Sequence, residues 1–157
     1  NLSVNIPAGV DSGTRIRLSG KGEAGLRGAP AGDLYIFVDV RTHSIFEREG
    51  SHLFLRVPVP MSTAALGGSI EVPTLAGRMA RLQIEKGTQT GRKFRMRGKG
   101  MPALRGSGQG DQIVEIQVET PTNLTKKQAE LLAEFEQAGD ANPQTTSFLN
   151  RVKKLWS

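Results

Sequence analysis

Residues 6–40 read IPAGVDSGTRIRLSGKGEAGLRGAPAGDLYIFVDV, and residues 84–118 read IEKGTQTGRKFRMRGKGMPALRGSGQGDQIVEIQV. The two stretches align without a gap at a constant offset of 78, with about 13 of 35 positions identical. Arg17 matches Arg95, Gly20-Lys21-Gly22 matches Gly98-Lys99-Gly100, Leu26-Arg27-Gly28 matches Leu104-Arg105-Gly106, and Asp33 matches Asp111. A period this long exceeds a solenoid unit and fits one small β domain set in tandem. What recurs is glycine, basic side chains and alternating aliphatics, not a nucleophile with its base. The pattern favours a duplicated binding module over a single active site. By the same offset Asn1 corresponds to Met79, inside the second copy. The first copy is therefore expected to lack its front half, and the chain reads as a piece of a longer protein.

Working outward, each copy predicts β-structure. Leu2, Val4 and Ile6 alternate, Pro7-Ala8-Gly9 turns, and Ile16 and Leu18 continue with period two. The glycine-rich connection Gly20–Gly32 leads to a strand over Leu34–Val40, with Leu34, Ile36, Val38 and Val40 on one face and Tyr35 and Phe37 on the other. Leu53, Leu55, Val57 and Val59 predict another strand, whose Pro58 places that end at a sheet edge or bulge. Met61–Leu66 is a short helix stopped by Gly67-Gly68, and Ile70 to Val72 with Met79 to Ile84 form a hairpin around Leu75-Ala76-Gly77. The second copy closes with a strand over Ile113–Val118. After Pro121 the pattern changes to helical. Thr125 and Gln128 fit a capping box, Leu131, Leu132 and Phe135 follow at helical spacing, and Gly139 stops the helix. A polar linker, Asp140 to Thr146, precedes a segment in which Phe148, Leu149, Val152, Leu155 and Trp156 share an apolar face. The expected fold class is mainly β: two tandem small β-sandwich domains, the first truncated on its N-terminal side, then a helical C-terminal segment. The expected boundaries are 1–42, 43–121 and 122–157.

Composition narrows the chemistry. The 157 residues carry a formal charge of +6, which admits nucleic acid or acidic partners without establishing either. There is no cysteine, so disulfides and thiolate metal sites are excluded, and two histidines leave zinc too few good ligands. No apolar run reaches the ~18 residues that span a bilayer. Gly20-Lys21-Gly22-Glu23-Ala24-Gly25 matches G-x-G-x-x-G, but Ala103 replaces the third glycine in the second copy and no helix is expected to follow, so a β–β connection is the better reading. Asp33 and Asp111 are repeat equivalents at strand starts and fit turn hydrogen bonding rather than paired catalytic acids. The basic run Arg92, Lys93, Arg95, Arg97, Lys99 and Arg105 admits a nucleic-acid module as the alternative function. Strand alternation instead puts Arg95 and Arg97 on a solvated face with Phe94 and Met96 inward, and aromatics for base stacking are few. No enzyme chemistry is supported.

Several longer stretches carry a resemblance. Ile6-Pro7-Ala8-Gly9-Val10, Ala31-Gly32-Asp33-Leu34-Tyr35, His43-Ser44-Ile45-Phe46-Glu47-Arg48-Glu49-Gly50, Val72-Pro73-Thr74-Leu75, Phe94-Arg95-Met96-Arg97-Gly98-Lys99-Gly100 and Ser147-Phe148-Leu149-Asn150-Arg151-Val152 look like the C-terminal region of the zinc-finger-bearing, bacterial DnaJ-type co-chaperones. The resemblance covers essentially the whole chain. It implies two β domains that hold non-native client polypeptide, a dimerisation segment, a cytoplasmic location and delivery of clients to a DnaK-type chaperone. It further implies a client groove on the first domain, matching Leu2 and Ile36 with Val4 and Phe37 as neighbours. A homodimer interface is implied at Leu131, Leu132, Phe135, Phe148, Val152, Leu155 and Trp156. Zinc is expected only in a cysteine-rich insertion of the full-length protein, and no cofactor in this chain. There is no His-Pro-Asp motif, no Gly/Phe linker and no C-x-x-C-x-G-x-G, so ATPase stimulation and zinc binding are not expected from these residues.

Overall fold

The computed structural model describes residues 2–157. The chain separates into two compact units, one ending at Glu119 and the other running Thr120–Ser157. The first holds eight strands, one short α-helix and a three-residue 3-10 turn at Leu26–Gly28. These are β1 (Arg15–Leu18), β2 (Leu34–Phe37), β3 (Glu47–Glu49), β4 (His52–Pro60), α1 (Met61–Leu66), β5 (Gly68–Pro73), β6 (Met79–Ile84), β7 (Lys93–Met96) and β8 (Gln112–Glu119). The second unit holds α2 (Lys126–Ala138) and α3 (Pro143–Leu155).

Three sheets result. β1 and β2 form an antiparallel pair; β3-β4-β8-β7 form a four-stranded sheet; β5 and β6 form a hairpin. β4 and β8 run parallel, with Leu53 opposite Gln112 and Pro60 opposite Glu119. The Leu53 amide donates to the Asp111 carbonyl at 2.9 Å. Because backbone groups alternate sides along a strand, residues 53, 55, 57 and 59 point their N–H groups at β8 and residues 54, 56, 58 and 60 point away. Pro58 and Pro60 therefore lack a donor only on the side away from β8, beyond the reach of β3, which pairs with His52 to Phe54 alone. The edge expected from Pro58 is real, although β4 is an inner strand at its start.

The core gathers the inward residues of both sheets. Leu53, Leu55 and Val59 of β4, Val114 and Ile116 of β8, Val72 of β5, Ile84 of β6, Ala64 of α1 and Phe46 are buried together, and Val57, Ile70, Leu82, Phe94 and Met96 pack against them. Phe94 and Met96 face inward as their alternation predicts. Thr88 and Gln112 are the buried polar side chains among the described residues, and Gln112, fully buried, donates Nε2 to the Pro73 carbonyl at 2.9 Å and so ties β8 to the end of β5. α1 ends where the sequence predicts, at Gly67 with φ 82°, where an added Cβ would press on the backbone of Ile84 and Lys86.

Two expectations fail. Leu2–Ile6 is not a strand, and Leu2 and Ile6 are exposed. Alternation makes a segment strand-capable, but a strand exists only with a hydrogen-bonding neighbour, and the ladder of β2 is with β1 alone. The second failure is the polar linker. α3 begins at Pro143, inside the span expected to be irregular, with proline at its first turn. Proline has no N–H to lose there, and Asp140 organises the approach by accepting from the Asn142 amide at 3.0 Å and the Thr146 hydroxyl at 2.7 Å. Those bonds hold the Asp140 carboxyl below the usual carboxylate range, the Asn142 amide contributing most. By contrast α2 starts as read: Gln128 donates its amide to Thr125 Oγ1 at 3.1 Å, and Thr125 donates its own to Gln128 Oε1 at 2.9 Å.

Candidate binding surface

The repeat is reproduced bond for bond. β1 pairs with β2 in the register Arg15 to Phe37 through Leu18 to Leu34, and β7 pairs with β8 in the register Lys93 to Glu115 through Met96 to Gln112. The Gly13 amide donates to the Val38 carbonyl at 3.0 Å, and Gly91 to Ile116 at 2.8 Å. Val40 donates to the Ser12 hydroxyl, Val118 to that of Thr90, both at 2.8 Å. Each glycine loop is then closed by a clasp. Asp33 accepts from the Gly20 amide at 3.0 Å and from Arg17; Asp111 accepts from the Gly98 amide at 2.9 Å and from Arg95. Those bonds hold both carboxyls below their ordinary range, the glycine amide contributing most and the guanidinium next. Strand-start hydrogen bonding was legible for both aspartates. The arginine partner was not, since Arg95 was read only as solvated; its signal was the spacing of 16 between arginine and aspartate in both copies.

These clasps also settle the G-x-G-x-x-G match. The loop joins two antiparallel strands and holds only a three-residue 3-10 turn, Leu26–Gly28, broken by Arg27 at φ 51°, so no α-helix N-terminus follows the motif to face a phosphate. Among the described residues no three His, Cys, Asp or Glu side chains cluster as metal ligands. The basic run is partly consumed: Arg95 is held by Asp111, and Arg92 stacks over the Phe94 ring at 5.2 Å.

What separates the copies is cover. β8 lies between β7 and β4, whereas β2 has β1 on one side and an unpaired edge on the other. Ile36 is half-buried, Tyr35 is exposed on the opposite face, and Phe37 is 73% exposed at the end of the strand. Leu2 is exposed and Val4 half-buried in the irregular lead-in. Of the four groove candidates, then, Ile36 and Phe37 share β2 on opposite faces, and Leu2 and Val4 lie outside any strand. The lead-in meets the rest of the unit farther on. Arg48 of β3, missed in the sequence because one arginine in a polar stretch carries no pattern, donates to the carbonyls of Gly9 at 2.9 Å and Val10 at 2.6 Å. Gly9, at φ 86°, lies so close to Pro102 and Leu104 of the second loop that a Cβ would overlap their backbone.

In the helical unit, the apolar residues have little cover. Leu131, Phe135, Phe148, Leu155 and Trp156 are exposed, with Trp156 at 83%; Leu132 and Val152 are half-buried. No helix is long and apolar enough to cross a membrane among the described residues.

Comparison with known proteins places these features in a family. Residues 1–121 match the model of the DnaJ C terminal domain, and residues 127–157 match that of the chaperone protein DnaJ C-terminal region. Proteins named "Chaperone protein DnaJ" are similar throughout: 60% identity over 157 residues in Cereibacter sphaeroides strain KD131, 61% over 156 in Roseobacter denitrificans and 61% over 158 in Ruegeria sp. strain TM1040. Each alignment covers 99% of this chain and 41% of the relative, so the chain spans well under half the length of the proteins it matches. With its two glycine-loop clasps and its terminal helices both matched, the chain belongs to the DnaJ C-terminal domain family.

Proposed function

We propose that this chain is the part of a cytoplasmic co-chaperone that holds extended, apolar, non-native polypeptide and joins two copies of the protein, so that clients can be passed to a DnaK-type partner. The observation that carries the reading is β2, an aliphatic and aromatic strand with one free edge, half-buried Ile36 and exposed Phe37. A free edge offers unpaired backbone groups to an extended peptide, and the flanking side chains give apolar contact. Each aliphatic client side chain buried there contributes roughly 1.5–3 kcal/mol, so a site taking one or two binds weakly once ordering costs are met. Joining two such sites through the exposed faces of α2 and α3 raises avidity by about 10²–10⁴ for a client that spans both. Leu131, Leu132, Phe135, Phe148, Val152, Leu155 and Trp156 form that interface in this reading. Zinc is assigned to residues outside this chain, because a cysteine-free sequence with two histidines does not supply a zinc site.

The test is fluorescence anisotropy of a labelled unfolded peptide and a labelled single-stranded oligonucleotide, each titrated with the 157-residue chain at low and moderate salt. Peptide binding that survives salt and weakens in Ile36→Ser and Phe37→Ser supports the reading. Oligonucleotide binding with a steep salt dependence, and none to peptide, overturns it in favour of the basic loops.

A further inference from the structure

The segment between β2 and β3 is folded around an imidazole. His43 Nδ1 accepts from the Ile45 amide at 3.0 Å and from the Phe46 amide at 3.3 Å. This is the pattern of an Asx turn, with a ring nitrogen where asparagine or aspartate would place an oxygen. An imidazole nitrogen accepts only while it carries no proton, so the turn as folded requires Nδ1 to be bare. The His43 ring also lies 5.2 Å from that of Phe46, which is 8% exposed and the first residue of the core after the joint. Two residues on, Arg48 donates to Gly9 and Val10 and is the bracket between the first copy and the four-stranded sheet.

We propose that His43 makes this joint acid-sensitive. A second proton on the ring turns the Nδ1 acceptor into a donor facing two N–H donors. Both bonds are then lost, the 43–46 turn opens, and the approach of Phe46 and Arg48 to their seats loosens. The device is present while the ring is neutral and is lost when the ring takes up a second proton. His43 opens on a cleft of about 530 Å³ whose charged lining is Asp11, Arg41, Glu47 and Arg48. Asp11 and Arg48 approach each other at 3.7 Å, leaving Arg41 and Glu47 as the other charges there. Arg41 and Arg48 carry no acceptor that could take the place of Nδ1.

Asparagine separates the two parts of the proposal, because His43→Asn keeps an acceptor and removes the titration. Amide hydrogen exchange of the whole chain by NMR, corrected for intrinsic rates, is compared at about pH 7 and about pH 5. The native chain is expected to lose roughly threefold to tenfold of its protection at Ile45 and Phe46 as the His43 ring resonances titrate, and H43N to keep its protection. A His43 ring that titrates while Ile45 and Phe46 stay equally protected overturns the proposal. So does an equal loss in H43N. The other histidine is read separately, at the Asp111 amide that donates to His52 Nδ1 at 3.0 Å.

Discussion

β1–β2 and β7–β8 are the same hairpin in different surroundings. Register, aspartate clasp and the hydroxyl that caps the strand end all repeat, while the loop tips differ, with a 3-10 turn at Leu26–Gly28 in one and a Pro102–Gln109 bridge in the other. In the second copy, however, β4 lies along β8 and the inward residues Gln112, Val114 and Ile116 are fully buried. In the first, the equivalents Leu34, Ile36 and Val38 are only half-buried. The hairpin's shape is therefore set by local bonds, and its burial by the neighbour it is given. Local bonds hold the loops; only the added strand makes a core.

The sharpest way to break that comparison is to remove matched aliphatic bulk from each copy. Ile116→Ala is expected to cost about 2–5 kcal/mol in urea unfolding, and Ile36→Ala about half of that or less. Equal costs would mean that the first copy has cover not visible in its sheet. Amide exchange should come next. The amides of β8 should be protected roughly a hundredfold more than those of β2, since strands at a sheet centre open only with the larger unit. Arg48→Ala should then act on the lead-in of the first copy and on the Gly50 turn, not on β8. With three carbonyl bonds from a charged donor gone, to Gly9, Val10 and Gly50, a loss of about 1.5–3 kcal/mol is expected, and exchange should quicken around Gly9 and Val10 while β8 is untouched. The smallest effect belongs to the clasps, which lie at the solvent boundary. The carboxyls of Asp33 and Asp111 are both lowered from 3.8, so each clasp contributes fully above that unfolded value and its contribution is lost as pH falls through the lowered folded value. Asp33→Asn and Asp111→Asn should each show already at neutral pH the small loss that acid brings to the native clasp, and so abolish the acid step at its own loop, read at the amides of Gly20 and Gly98.

How much of this could be read from residues alone follows the same division. Local signals gave local structure: the capping box at Thr125, the Gly67 stop, the β5–β6 hairpin and the inward turn of Phe94 and Met96 were all legible. Pairings between distant segments were not. Leu2–Ile6 has the alternation of a strand and no neighbour, a fact that lies outside its own sequence. The start of α3 at Pro143 is hidden because Asp140 to Thr146 is polar, and only proline at a first helical turn marks it. Arg48 and Gln112 act through single long-range bonds and leave no period to detect. The strand that carries Ile36 and Phe37 is legible because alternation is a local property, whereas their place in a groove is implied only by the family resemblance. The bond-for-bond repetition of the clasps was implicit in the offset of 78 all along.

The parallel pairing of β4 with β8 also has a consequence for the order in which the chain is made. Arg56 and Glu115, opposite one another, are 59 residues apart in sequence. At a ribosomal rate of 5–20 residues per second, β4 waits roughly 3–12 seconds for the strand that covers it. During that time Leu53, Leu55, Val57 and Val59 are an uncovered aliphatic ribbon. A nascent chain of this family thus passes through a state resembling the polypeptides it is proposed to hold.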